Sequence, residues 1–136
     1  MIISAAVDNR LGMMFNQRRI SQDRQLRAEI VKLTQGHLLW MNGFSGQQFA
    51  SEAESRSLKV DDSFLALAQS SDYCFVENDS VCPFAERVEA VILCRWNRDY
   101  PADFFFDLPL DSWHLTHTYN ITGYSHDIIT IEEYLR

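Results

Sequence analysis

The chain of 136 residues carries 19 acidic and 12 basic side chains, so its formal net charge at pH 7 is −7. This acidic balance disfavours general binding to nucleic acids or to anionic membranes, whose phosphates are also negative. Hydrophobic residues make up 46% and aromatic residues 12% of the sequence, which predicts one folded domain over residues 1–136 and excludes a disordered chain. No apolar run approaches the ~20 residues of a membrane span, and the sequence pattern of a signal peptide is missing.

Strands and helices alternate along most of the chain. Short apolar runs predict six strands, at residues 2–7, 38–41, 73–76, 91–95, 113–119 and 128–132. The spacing of Leu26, Ile30 and Leu33 predicts a helix over residues 22–34, with Ser21 as its N-cap and Asp23 in its first turn. Shorter helices are predicted at residues 44–49, 61–68 and 81–87, and residues 50–59 are interpreted as a solvated helix or loop.

The order of these elements predicts an α/β fold. Early strands separated by helices imply a mainly parallel central sheet, flanked by helices and connected by right-handed crossovers. The last two strands are close in sequence, so we expect them to form a C-terminal antiparallel hairpin whose first strand is half-buried. The side chains expected in the core are those of Ile3, Ala5, Leu26, Ile30, Leu39, Phe75, Ile92 and Phe105.

The cysteines indicate a reducing compartment. The chain has three cysteines, Cys74, Cys82 and Cys94, and they include no C-x-x-C pair. An odd number without such a pair does not predict a disulfide framework, and it favours a cytoplasmic protein. The ligand spacings of known zinc motifs are also missing, and no metal site is predicted.

Three other polar groups are weaker candidates for a site. Arg18 and Arg19 have the charge to bind an anion, but their polar surroundings favour exposure to solvent. His114 and His117 are three apart on a predicted strand, so their side chains point to opposite faces. Residues 125–127 (Ser-His-Asp) contain the residue types of a hydrolase triad, but a triad needs residues that converge in space rather than in sequence.

Several local strings resemble the dihydrofolate reductase family. Residues 3–12 (ISAAVDNRLG) are similar to that family's first strand and the start of its mobile active-site loop. Residues 32–34 (Lys-Leu-Thr) followed by residues 37–41 (HLLWM) are similar to the end of its first helix and its second strand. Residues 102–113, with the string ADFFFD followed by Asp-Ser-Trp, resemble its D-x-x-F-P…W signature. The resemblance covers most of the chain and implies a dihydrofolate-reductase-like fold.

The chain departs from that family where the cofactor phosphates are held. The family follows its second strand with Met-Gly-Arg-x-Thr, whose Arg and Thr help to hold the NADPH phosphates. Residues 41–45 here are Met-Asn-Gly-Phe-Ser, so the Arg is missing and only Ser45 remains as a cofactor-binding candidate. The family's Gly-Gly pair, which the resemblance places after residues 73–76 or after residues 91–95, is missing at both places. After the earlier strand, Glu77 and Asp79 would repel a phosphate. The chain is also shorter than the usual reductase, and one strand between residues 49 and 61 is expected to be absent or rudimentary.

The catalytic acid that the resemblance implies has no secure counterpart. The family places one Asp or Glu in its first helix, where it binds the pterin and promotes its protonation. Counting back from Thr34 without a gap places Leu26 there, and a shift of about one helical turn places Asp23 there. Asp23 is therefore the candidate catalytic residue if the protein is an enzyme. We favour a structural role in the first helical turn, and expect Asp23 to be exposed.

These departures favour a binding protein over a reductase. The first hypothesis is a divergent, non-catalytic relative that binds a protein partner or a small ligand, such as an accessory protein of a phage or plasmid, and needs no cofactor. The alternative is an NADPH-dependent dihydrofolate reductase with an atypical active site. A third hypothesis is another nucleotide- or pterin-binding enzyme on the same scaffold.

Overall fold

The computed structural model describes residues 1–50 and 57–136. Within these ranges the strands are β1 (Ile2–Val7), β2 (Gly12–Phe15), β3 (Arg18–Arg19), β4 (Leu39–Met41), β5 (Leu58–Val60), β6 (Tyr73–Val76), β7 (Ala90–Arg95), β8 (Phe104–Phe105), β9 (His114–Thr122) and β10 (Ile128–Leu135). The helices are α1 (Arg24–Leu33), α2 (Gly43–Gln48) and α3 (Phe64–Leu67), together with a 3-10 helix over Cys82–Arg87.

The described strands form one large sheet and one small sheet. The large sheet has the order β5-β4-β6-β1-β7-β10-β9, and the small sheet has the order β3-β2-β8. The first five strands of the large sheet pair in parallel, whereas β10 runs antiparallel to both β7 and β9. The predicted α/β class, with a mainly parallel sheet and a C-terminal antiparallel hairpin, is confirmed.

The central strands β6, β1 and β7 of the large sheet are buried on both faces, as their nearly continuous apolar sequences predict. One apolar cluster includes Ile3 of β1 and Phe64 of α3. The other contains Leu26 and Ile30 of α1, which pack with Phe75 of β6. Helix α1 covers one face of the large sheet, and its N-terminus lies beside the β9–β10 turn.

Some predicted elements are wrong in detail. Phe105 is 43% exposed and Phe106 is buried instead, because neighbouring residues of extended chain point to opposite sides. β9 is an exposed edge strand rather than a half-buried one. The strand expected to be absent or rudimentary is a three-residue edge strand, β5, and it begins within the segment predicted as a solvated helix or loop. The rest of that prediction concerns residues 51–56, which lie outside the described residues.

Candidate functional site

A polar cleft lies at the carboxyl ends of β4 and β6. These strands are parallel neighbours in the large sheet, so the residues that follow them meet at one edge. Asn42 follows β4 and begins α2, and Glu77 follows β6. The cleft is lined by Asn42, Gly43, Phe44, Gln47, Asp62, Asn78 and Asp79 and has a volume of about 520 Å³. A neighbouring cavity of about 300 Å³ shares Phe44 and Asn78 with it.

A buried ion pair lies next to this cleft, because Glu77 precedes Asn78 and Arg19 contacts Phe44, two residues that line it. The Glu77 carboxylate accepts hydrogen bonds from Arg19 Nε at 2.9 Å and from Arg19 Nη2 at 3.2 Å, which makes a two-pronged contact. Ser45 Oγ donates to the same carboxylate at 2.8 Å. Ser45 and Glu77 are both buried, and the Arg19 guanidinium lies over the Phe44 ring. The expectation that Arg19 is exposed is therefore wrong, although Arg18 is exposed.

Protein acceptors also satisfy donors at the start of α2. The N-cap Asn42 accepts from the backbone N–H of Ser45 at 2.9 Å, and Asp62 accepts from that of Gly43 at 2.9 Å. The Asn42 amide donates to Asn78 and to Asp79, each at 2.7 Å. The helix terminus, which elsewhere makes a ready site for anions, is here occupied by the chain's own oxygens.

The cleft is acidic. Burial raises the pKa of Asp79, the hydrogen bond from Asn42 lowers it, and the negative charge of Asp62 raises it, so that the pKa lies above its usual value. Two carboxylates that destabilise each other's charge favour a cation in their neighbourhood and disfavour an anion. The surroundings of the cleft therefore suit a positively charged ligand better than a phosphate.

Asp23, the candidate catalytic residue, lies in a different environment from the one predicted. It is 3% exposed, so the expectation of a solvent-exposed side chain is wrong. Asp23 itself, rather than Ser21, is the N-cap of α1, and its carboxylate accepts from the backbone N–H of Gln25 and of Leu26. The β9–β10 turn covers it, and the backbone N–H groups of Tyr124 and Ser125 donate to the same carboxylate.

These hydrogen bonds determine the charge of Asp23. Burial alone would raise the pKa of Asp23, but the hydrogen bonds from Tyr124, His126, Ser125 and Gln25 outweigh burial and hold the pKa well below its usual value. Asp23 lines neither the cleft nor the neighbouring cavity. Leu26, the other position considered for the acid, is buried in the apolar core. That Asp23 acts as a catalytic acid stays a prediction.

The sequence alone indicates Ser45 and Glu77 but not the contact between them. It predicts Ser45 as a cofactor-binding candidate and Glu77 as a residue that repels a phosphate. Their hydrogen bond and the ion pair with Arg19 join residues up to 58 positions apart. Two features of the sequence could have indicated this contact. Glu77 directly follows a buried strand, and Arg18 and Arg19, which have no other assigned role, precede the first helix.

Residues 1–50 and 57–136 contain neither a metal-binding cluster nor a membrane-spanning helix. No group of three or more His, Cys, Asp or Glu side chains is arranged to hold a metal ion. No helix in these ranges has the length and apolar character needed to cross a membrane.

Comparison with known proteins identifies the fold. No protein-family model matches the sequence, and no curated protein matches it. Among solved structures, the chain is similar to dihydrofolate reductase from Enterococcus faecalis complexed with NADP(H) and RAB-propyl, with a TM-score of 0.66 and 10% sequence identity. The similarity covers 100% of this chain and 96% of the other. The chain therefore has the dihydrofolate reductase fold.

Proposed function

We propose that this protein is a divergent member of the dihydrofolate reductase fold that does not act as an ordinary reductase. It acts by binding a protein partner or a small ligand at the acidic cleft beside α2. The observation that carries this proposal is the buried carboxylate of Glu77, held by Arg19 and Ser45 at the start of α2. From the resemblance to the reductase family, we infer that this position corresponds to the one at which that family holds the NADPH phosphates.

Three physical effects oppose NADPH at this position. A phosphate beside Glu77 and Asp79 meets like charge in partly desolvated surroundings. Displacing Glu77 from Arg19 leaves a buried carboxylate without its partner, which costs about 3–5 kcal/mol. The backbone donors of Gly43 and Ser45 already have acceptors in Asp62 and Asn42, so a phosphate gains little from them.

The charges that oppose a phosphate favour a cationic ligand. Asp62 and Asp79 present negative charge to an open cleft of about 520 Å³, and Phe44 offers an aromatic face at its edge. An amine or guanidinium group forms charge-assisted hydrogen bonds with such carboxylates. A small polyamine or a basic segment of a partner protein therefore matches the cleft.

The test compares two doubly substituted variants with the wild type by thermal shift. Asp62→Asn with Asp79→Asn removes both carboxylate charges that line the cleft, and Glu86→Gln with Asp127→Asn removes two exposed charges elsewhere. We expect spermidine or an arginine-rich peptide to stabilise the wild type and the control variant but not the cleft variant. The proposed cleft would be contradicted if the cationic ligand no longer raised the melting temperature of either variant. It would also be contradicted if the ligand raised the melting temperatures of all three proteins equally.

The alternative function remains an NADPH-dependent dihydrofolate reductase with an atypical active site. The observation in its favour is that the similar solved structure is a dihydrofolate reductase complexed with NADP(H). The same thermal-shift experiment separates the two functions when NADPH is the ligand. NADPH at about 100 times its dissociation constant stabilises a protein by ~2.7 kcal/mol, and we expect no such shift for the wild type.

A further inference from the structure

A second polar cluster joins the start of α1 to the β9–β10 turn and to the loop after β7. His126 Nδ1 lies 2.9 Å from Asp23 Oδ2, and His126 Nε2 lies 2.8 Å from Ser21 Oγ. The Tyr100 hydroxyl lies 3.1 Å from His126 Nε2 and 3.4 Å from Ser21 Oγ. A carboxylate, an imidazole and a serine are thus connected in series, which is the order of a nucleophilic triad.

The charge of Asp23 fixes the direction of these hydrogen bonds. Its carboxylate is ionised and only accepts, so the facing His126 Nδ1 carries a proton. In a neutral imidazole this leaves Nε2 as the acceptor, with Ser21 Oγ–H at 2.8 Å and the Tyr100 hydroxyl at 3.1 Å as the groups that face it. The resting arrangement therefore pairs a basic nitrogen with the hydroxyl proton of Ser21.

The surroundings hold the imidazole in this orientation. Trp96 is buried and stacks on the His126 ring, with the ring centroids 4.4 Å apart and an angle of 26° between the planes. Asp23 is kept in place by the backbone N–H groups of Tyr124 and Ser125. Asp23 and His126 are buried, whereas Ser21 is partly exposed.

We propose that Ser21, His126 and Asp23 form a nucleophilic site that reacts with small activated esters. This site is separate from the cleft of the proposed function, and neither depends on the other. Sequence reasoning considered a triad only within residues 125–127. In the structure His126 instead faces an aspartate and a serine more than 100 residues away.

The reaction has two balanced steps. Ser21 Oγ attacks the ester carbonyl carbon while its proton moves to His126 Nε2, and the carbonyl electron pair moves to oxygen. Collapse of this intermediate breaks the bond to the leaving alcohol, which takes the proton from Nε2 and leaves an acyl group on Ser21. In the second step a water molecule attacks the acyl carbonyl carbon while Nε2 takes its proton. The bond between that carbon and Ser21 Oγ then breaks, Oγ takes the proton back from Nε2, and the carboxylic acid is released. The Tyr100 hydroxyl, next to Ser21 Oγ, is placed to donate to the oxygen that becomes negative.

The chain provides a matched control in Ser125. Its hydroxyl also contacts this cluster, donating to Asp23 at 3.1 Å and lying 3.2 Å from His126 Nδ1. It faces the nitrogen that carries the proton, and the Asp23 carboxylate to which it donates is a weak base because the pKa of Asp23 is lowered. Ser21→Ala and Ser125→Ala thus remove one serine each from the same cluster, and only the first removes the nucleophile.

The test treats the folded protein with a fluorophosphonate probe and with p-nitrophenyl acetate, and peptide mapping by mass spectrometry locates the label. We expect labelling on Ser21, its loss in Ser21→Ala, its retention in Ser125→Ala and at least a tenfold slower reaction in His126→Gln. Circular dichroism establishes that each variant is folded, and if His126→Gln does not fold, the two serine variants decide. A folded wild type without label on Ser21, or equal labelling of wild type and Ser21→Ala, would overturn the proposal.

Discussion

Two helix N-termini in this protein each hold a buried carboxylate, but the two carboxylates come from different places. At α2 the carboxylate belongs to Glu77, which follows a neighbouring strand, and an arginine and a serine bind it. At α1 the carboxylate belongs to the N-cap Asp23 and binds the backbone of a distant turn. In the proposed function the first arrangement disfavours an anion at α2, whereas in the proposed nucleophilic site the second orients a histidine toward a serine. Similar local chemistry is thus proposed to close one site and to build another.

The largest expected effect comes from breaking the ion pair at α2. Arg19→Met leaves the Glu77 carboxylate buried without its charged partner, and we expect this to lower the free energy of unfolding by about 3–5 kcal/mol. Glu77→Gln leaves no buried charge and still accepts from Ser45, so its cost is smaller, about 1–3 kcal/mol. Urea denaturation of both variants measures this difference. Equal costs for the two substitutions would show that the pair is not desolvated as the structure indicates.

A comparable loss is expected at α1. Asp23→Ala removes the acceptor for the backbone N–H groups of Tyr124 and Ser125 and for the N-terminus of the helix. Each buried donor left unsatisfied costs ~1–3 kcal/mol, and the total is expected to exceed ~3 kcal/mol. Asp127→Ala, an exposed neighbour of the same turn, serves as the control in the same urea experiment. A cost below ~1 kcal/mol for Asp23→Ala would instead support the exposed first-turn role that the sequence predicts for Asp23.

The pH dependence of stability tests the hydrogen bonds that Asp23 accepts. The pKa of Asp23 is lowered in the folded protein, so its contribution is complete above the unfolded value of about 3.9 and is lost as the pH falls toward the folded pKa. Asp8 acts in the same direction, because hydrogen bonds from Tyr100, Gly12 and Arg10 outweigh burial and lower its pKa.

We therefore expect stability to be nearly constant from about pH 7 to pH 5 and to decrease below about pH 5. Asp23→Asn reduces the slope below pH 5 by at most ~1.4 kcal/mol per pH unit, the value for one proton. Denaturation curves collected at several pH values measure both slopes. A slope that does not change in the Asn variant would contradict the lowered pKa of Asp23.

The smallest expected effect concerns the control serine of the second cluster. Ser125 Oγ is exposed and adds one hydrogen bond to a carboxylate that has several others. Ser125→Ala is therefore expected to cost about 0.5–1.5 kcal/mol, measured by urea denaturation. A cost as large as that of Asp23→Ala would mean that Ser125, rather than the backbone donors, holds the turn.

The sequence predicted the elements that depend on local pattern. The apolar runs at residues 2–7 and 73–76 correspond to β1 and β6 with the same bounds, because a strand buried on both faces is apolar throughout. The helix face of Leu26 and Ile30 is buried as its periodicity indicates. The exposure of Phe105 instead of Phe106 shows the limit of this approach, since a run of identical residues does not specify which one points inward.

The candidate sites depend on contacts that local pattern does not contain. Asp23 has the sequence context of an exposed cap, and only the return of the chain at Ser125 and His126 buries it. Glu77 has the context of a turn, and only β3 brings Arg19 to it. In both cases the decisive partner is more than 50 residues away, so burial and charge could not be read from neighbouring residues.

The central claim is that the Glu77 carboxylate takes the place of a cofactor phosphate, and NADPH titration by calorimetry tests it most directly. The wild type is titrated beside a working dihydrofolate reductase, and dihydrofolate is then added while the absorbance of NADPH is followed. We predict no saturable binding by the wild type at millimolar NADPH and no oxidation of NADPH. Saturable binding at micromolar NADPH, with oxidation once dihydrofolate is present, would contradict the account and establish the reductase alternative.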